Sequence, residues 1–132
     1  MAPVVTKIAL VMLGGSLGSV CRYLLALSAA QFMGTRFPYG TLAANLTGCL
    51  LIGMAFALSD RVQLFSPSAR LFFMTGFLGG LTTFCTYALE TAGGIRSGAG
   101  LMAVANVLLN NLCGLLLVLA GMWLVKAVFK RD

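Results

Sequence analysis

A helix that crosses a bilayer needs about 20 consecutive apolar residues, and this chain has four runs that meet or approach that length. They cover residues 4–30, 41–58, 71–92 and 101–129. The stretches between them, QFMGTRFPYG, SDRVQLFSPSAR and GGIRSGAG, are short and rich in Gly, Pro, Ser and Arg, the composition of turns. They leave no room for a soluble domain. The expectation is an all-α membrane protein, one domain of four transmembrane helices over residues 1–132. The first run has Lys7 as its only early positive charge and continues past Gly18 without a small-residue cleavage site. It reads as a retained span and not as a removed signal segment.

Charge narrows the function. Only 9% of the 132 residues are charged, against 60% hydrophobic, where a soluble domain carries about a quarter charged residues. There is no histidine, and the only acids are Asp60, Glu90 and Asp132. Hydrolytic and metal-dependent catalysis needs bases or acidic and imidazole ligands, so an enzyme is the weakest reading. The net charge of +6 sits mostly in connections and at the ends, where it orients helices; no nucleic-acid partner is implied. Four spans put both ends on one side. Lys7, Arg61, Arg70, Lys126, Lys130 and Arg131 fall on that side and Arg36 and Arg96 on the other, a modest bias for ends in the cytoplasm. The four cysteines, Cys21, Cys49, Cys85 and Cys113, fall one per run with no C-x-x-C pair and read as buried free thiols that pack as small apolar groups.

Polar residues inside the spans need a partner or a wet cavity. Thr41, Asn45 and Gly48 share one face of the second run; Asn106, Asn110 and Gly114 share one face of the fourth, with Cys113 beside them and Asn111 pointing elsewhere. Each stripe reads either as interhelical glue or as the wall of a permeation path. Gly14 and Gly18, and Ala44 with Gly48, are small-residue pairs suited to close helix contact. A bundle this thin favours oligomerisation, with any path at or near the interface. Arg22 shares a face with Gly14 and Gly18 and either snorkels or gives a pore mouth positive potential; Glu90, late in the third run, is a partner for it.

The third run carries the densest signal. Thr75 to Tyr87 reads TGFLGGLTTFCTY, with glycines at 76, 79 and 80 and threonines at 82, 83 and 86. Glycine costs up to about 1 kcal/mol per helical position, so the pattern predicts a helix broken mid-membrane. Non-helical backbone at that depth persists only inside protein or along a cavity. Carbonyls released there suit a cation, and half-helix N-termini suit an anion. Phe84 and Tyr87 follow at i, i+3; they either pack as apolar bulk or turn positive ring edges to an anion.

GFLGGLTTFCTY resembles the third-helix signature of the Fluc (CrcB) fluoride channels of microorganisms; GGSLGSVCRY and GTLAANLTG resemble their first- and second-helix motifs. The resemblance covers nearly the whole chain. It implies four helices per subunit, the third broken, in an antiparallel dual-topology homodimer in the bacterial inner or plasma membrane. It implies passive export of toxic cytoplasmic fluoride through pores along the dimer, and a structural sodium ion, not transported, on the two-fold axis. Carried over by residue, the sodium falls on the backbone carbonyls of Gly79 and Thr82. The fluoride pore falls on Asn45, on Phe84 and Tyr87, on Thr41 and Asn110 and on Thr83 and Thr86. Arg22 and Glu90 are the vestibule or structural charges. Tyr87 stands where the family usually has Phe, Cys85 where it has Ser, Asn110 where Ser is common and Asn106 where a Tyr often lies. Two other readings stand beside it. A proton-coupled multidrug transporter would need an acid deep in the membrane, for which Glu90 is the sole candidate. A non-transporting membrane subunit would leave the third-run pattern without a purpose.

Overall fold

The computed structural model describes residues 3–61 and 65–129. Of the residues read above for orientation, Lys130, Arg131 and Asp132 lie outside the described residues, as does the side chain of Arg61. Four helical segments are long and apolar enough to cross a membrane: Val4–Met33, Tyr39–Asp60, Pro67–Arg96 and Gly100–Val128. They are α1 (Val4–Met33), α2 (Tyr39–Arg61), α3 (67–81) and α4 (Phe84–Arg96), which together make the third span, and α5 (100–128). The apolar runs foretold these limits within about four residues, because hydropathy and helix length both follow the bilayer thickness.

Small residues set how closely the spans approach. A side chain at Gly14 would meet the backbone of α3 at the Phe72 carbonyl and 2.8 Å from the Phe77 nitrogen, and one at Gly18 would meet the Phe77 carbonyl and lie 2.9 Å from the Leu81 nitrogen. Gly76 presents the reciprocal face, its missing Cβ 3.0 Å from the Gly14 Cα. The G-x-x-x-G of α1 is therefore spent inside the subunit, on α3. On the other side Gly53 of α2 and Gly121 of α5 lie against the backbone of Val118 and of Leu50 and Met54. Gly34 ends α1 at φ 80, the left-handed region that glycine enters without steric cost.

Two spans depart from regular α geometry. Wide π turns run over Leu71–Leu78 in α3 and Leu109–Cys113 in α5. Such turns insert an extra residue and redirect the side chains beyond it. The second carries Asn110 and Asn111, adjacent in sequence, to partners on different helices.

Candidate polar site at the helix break

α3 stops at Leu81. Thr82 (φ −83, ψ 154) and Thr83 (φ −150, ψ 118) are extended, and α4 begins at Phe84. The break is where the glycine and threonine pattern put it. Side chains close both edges. The Thr82 hydroxyl donates to the Leu78 carbonyl at 2.9 Å, finishing α3. The Thr83 hydroxyl accepts from the Thr86 backbone N–H at 3.3 Å, capping α4, and donates to the Thr86 hydroxyl at 3.1 Å.

Asn45 of α2 supplies what a helix would have. Its Oδ1 accepts from the Thr83 N–H at 2.8 Å, and its Nδ2 donates to the Thr83 carbonyl at 3.2 Å. One amide side chain thus pairs with both backbone groups of a residue that has left the helix, in place of the partners that hydrocarbon cannot offer. In a continuous helix the Thr83 N–H would belong to the Gly79 carbonyl; here it is turned to Asn45. Gly79 is exposed, and the space a Cβ would enter there is open. Thr82 is half-buried against Gly48, where a Cβ would collide with the threonine methyl.

From Asn45 the bonds continue into α5. The second Nδ2 proton of Asn45 goes to Asn110 Oδ1 at 2.8 Å. Asn110 Nδ2 donates to the Asn106 carbonyl at 3.0 Å and to Asn106 Oδ1 at 2.9 Å. Asn106, 1% exposed, donates to the Thr91 hydroxyl at 2.9 Å, which donates to the Tyr87 carbonyl at 2.9 Å. The stripes on the second and fourth runs are therefore one network that returns to α4. Thr91 belongs to it and has no mark in the sequence beyond being a polar residue facing α5.

Three cavities lie along this network. One of ≈ 410 Å³ opens between the α1–α2 and α4–α5 connections and is lined by Arg36, Thr41, Glu90 and Asn106. A second, ≈ 280 Å³, shares Thr41 with it and holds Arg22, Thr83 and Thr86. A third, ≈ 350 Å³, shares Thr83 with the second and is lined by Asn45, Gly79, Thr82, Phe84, Tyr87, Asn110 and Asn111. Phe84, 74% exposed, and Tyr87 meet edge-on with ring centroids 5.4 Å apart and planes at 61°. All the residues read as sodium or fluoride positions thus lie on these cavities.

The expected pairing of Glu90 with Arg22 is not formed. Glu90 Oε1 accepts from the Thr41 hydroxyl at 2.7 Å, and Glu90 Oε2 and Arg22 Nε are buried without a hydrogen-bond partner among the described residues. The two side chains line different cavities, and α2 supplies the nearer donor. Glu90 faces the outermost cavity, six residues before the end of α4, and not the middle of the span. Asn111, off the α5 stripe as its position required, still reaches the site: its Nδ2 donates to the Tyr87 hydroxyl at 3.0 Å. The clue available was a lone intramembrane amide with no partner on its own face.

Among the described residues no cluster of His, Cys, Asp or Glu could hold a metal ion. A cation here would have to take backbone and hydroxyl oxygens, which suit a hard ion.

The family described as CrcB-like protein, Camphor Resistance (CrcB), matches residues 9–122. A fluoride-specific ion channel FluC of Clostridium perfringens (strain 13 / Type A) is 44% identical over 117 residues, covering 89% of this chain and 91% of the relative. One from Salinibacter ruber is 46% identical, covering 87% and 86%. One from Chlorobaculum tepidum is 46% identical, covering 93% and 97%.

Proposed function

We propose, from the premise that this chain belongs to the CrcB-like family, that it is a fluoride-selective passive channel that exports toxic cytoplasmic fluoride. The observation that carries the reading is the run of amide and hydroxyl donors from Thr83 through Asn45 to Asn110 and Asn106, lying against cavities at the helix break. Fluoride is small and strongly hydrated, so a path that strips its water must give donors in return. Both Nδ2 protons of Asn45 are already bonded, one to the Thr83 carbonyl and one to Asn110 Oδ1. An arriving anion takes over the Asn45 N–H now given to Asn110 Oδ1, so the donor stands ready before the anion enters and the released amide oxygen is the cost of entry. The edges of Phe84 and Tyr87 add positive quadrupole, and Arg22 and Arg36 raise the anion concentration in the outer cavities. No nucleotide-binding motif exists in the chain. The membrane potential, worth about 2.3 kcal/mol per charge per 100 mV, drives the anion out.

The working unit of this proposal is an antiparallel homodimer in the bacterial plasma membrane. Phe84 and Gly79, exposed in the subunit, face the second copy. A structural sodium ion at the dimer centre is held by the carbonyls of Gly79 and Thr82. The Gly79 carbonyl suits that role because the Thr83 N–H is committed to Asn45. The ion supplies fixed positive charge at the interface.

Fluoride efflux from proteoliposomes, followed with a fluoride electrode, tests the channel. Rapid passive efflux with little chloride leak, lost on Phe84→Ala, is the expected result. Fluoride-tight vesicles containing folded dimer would refute it.

A further inference from the structure

Asn111 lies off the polar stripe of α5 and on the exposed side of the subunit. A primary amide facing hydrocarbon or a partner needs a reason. Its Nδ2 donates to its own Val107 carbonyl at 2.8 Å and to the Tyr87 hydroxyl at 3.0 Å. The first bond holds the amide against its helix; the second makes the phenol oxygen an acceptor. The phenol proton itself has no acceptor among the described residues.

Phenol geometry says where that proton goes. Conjugation of the oxygen keeps the C–O–H group in the ring plane, so the proton has two positions, one on each side. With the Asn111 N–H approaching the oxygen on one side, the proton turns to the other. Tyr87 is 9% exposed, packed edge-on against Phe84, so the ring cannot swing freely to find another partner. It lines the cavity that Asn45, Thr83, Phe84 and Asn110 also line.

We infer that the Tyr87 hydroxyl is a specificity-determining hydrogen-bond donor to the anion in this cavity, and that Asn111 is its positioning residue. The inference rests on the fluoride-channel reading and deepens it. A phenylalanine at position 87 would offer only C–H edges. A phenol offers an O–H, and O–H bonds to anions are short and about twice as strong as neutral ones. The gain is greater for fluoride than for chloride, because the smaller anion concentrates the same charge and approaches closer. The donated bond from Asn111 polarises the phenol and strengthens its own donation.

The test compares full-length wild type, Tyr87→Phe, Asn111→Leu, Asn111→Gln and the Tyr87→Phe/Asn111→Leu double variant in proteoliposomes, measuring fluoride and chloride efflux separately. Tyr87→Phe is expected to lower the fluoride-to-chloride efflux ratio about tenfold. Asn111→Leu is expected to lower it in the same direction, Asn111→Gln to recover part of it, and the double variant to match Tyr87→Phe. A Tyr87→Phe ratio equal to wild type overturns the inference. So does an Asn111→Leu effect that persists undiminished without the hydroxyl, which would make it merely structural. If Tyr87→Phe does not assemble, Asn111→Leu and Asn111→Gln decide, since both keep the ring. Wild-type vesicles that hold fluoride would overturn the channel itself; conducting vesicles with an unmoved ratio overturn only the role of Tyr87.

Discussion

Replacing Asn45 with leucine removes three hydrogen bonds in one step: the acceptance from the Thr83 N–H and the donations to the Thr83 carbonyl and to Asn110 Oδ1. Side-chain bonds between membrane helices average about 0.6 kcal/mol and reach about 1.7, so three give a loss of about 2 kcal/mol and at most about 5. The higher end is favoured, because two of the orphaned groups are backbone and cannot rotate to new partners; an unsatisfied buried group alone costs about 1–3 kcal/mol. Water in the adjoining ≈ 350 Å³ cavity offsets some of this. Asn45→Asp separates the contributions. As a carboxylate it keeps the acceptor for the Thr83 N–H, loses both donors and adds a negative charge beside an anion path. Equilibrium unfolding in bicelles should place both variants below wild type, with Asn45→Asp carrying the added cost of a charge against the oxygens of Thr83 and Asn110, and fluoride efflux should be abolished in both. An Asn45→Leu protein within about 0.5 kcal/mol of wild type would show that the extended backbone at Thr82–Thr83 does not depend on α2, and the account of the break would fail.

Three further outcomes follow from the packing and from the cap on α4. Gly18→Ala drives a methyl into the backbone of Phe77 and Leu81 and should cost about 1–3 kcal/mol as overpacking, whereas Gly79→Ala, with open space in the subunit, should leave the monomer's fold intact and weaken only the assembly of the proposed dimer; thermal unfolding and size-exclusion profiles of both variants check this. Thr83→Val keeps the shape but deletes the cap on the Thr86 N–H, with an expected cost of about 1 kcal/mol, read as faster backbone hydrogen exchange over residues 84–87; unchanged exchange there would deny the cap any role.

The span limits were legible in the sequence because one physical quantity, hydrocarbon thickness, fixes them. The break was legible because Gly76, Gly79, Gly80 and the threonines after them penalise a helix from within. What closes the break was only half legible. The spacing of Thr41, Asn45 and Gly48 gave a face, but nothing in the spacing said that Asn45 takes both backbone groups of Thr83. The π turns at 71–78 and 109–113 leave no compositional trace, and the second moves Asn111 onto Tyr87 against the α-helical expectation that it stands apart. Glu90 and Arg22 were paired on charge alone, while the fold offered Glu90 a nearer hydroxyl at Thr41.

The pair of hydrogen bonds between Asn45 and Thr83 joins residues 38 positions apart, and this bears on how the chain is made. The third span emerges into the membrane before its gap is secured. Until the second span docks, the stretch around Thr83 satisfies its own backbone best by staying helical. Breaking is then an event of assembly: the helix parts at Thr82–Thr83 when the Asn45 amide arrives to receive it. The expected state of an inserted but undocked subunit is a continuous third helix, with the Gly79 carbonyl bonded to the Thr83 N–H.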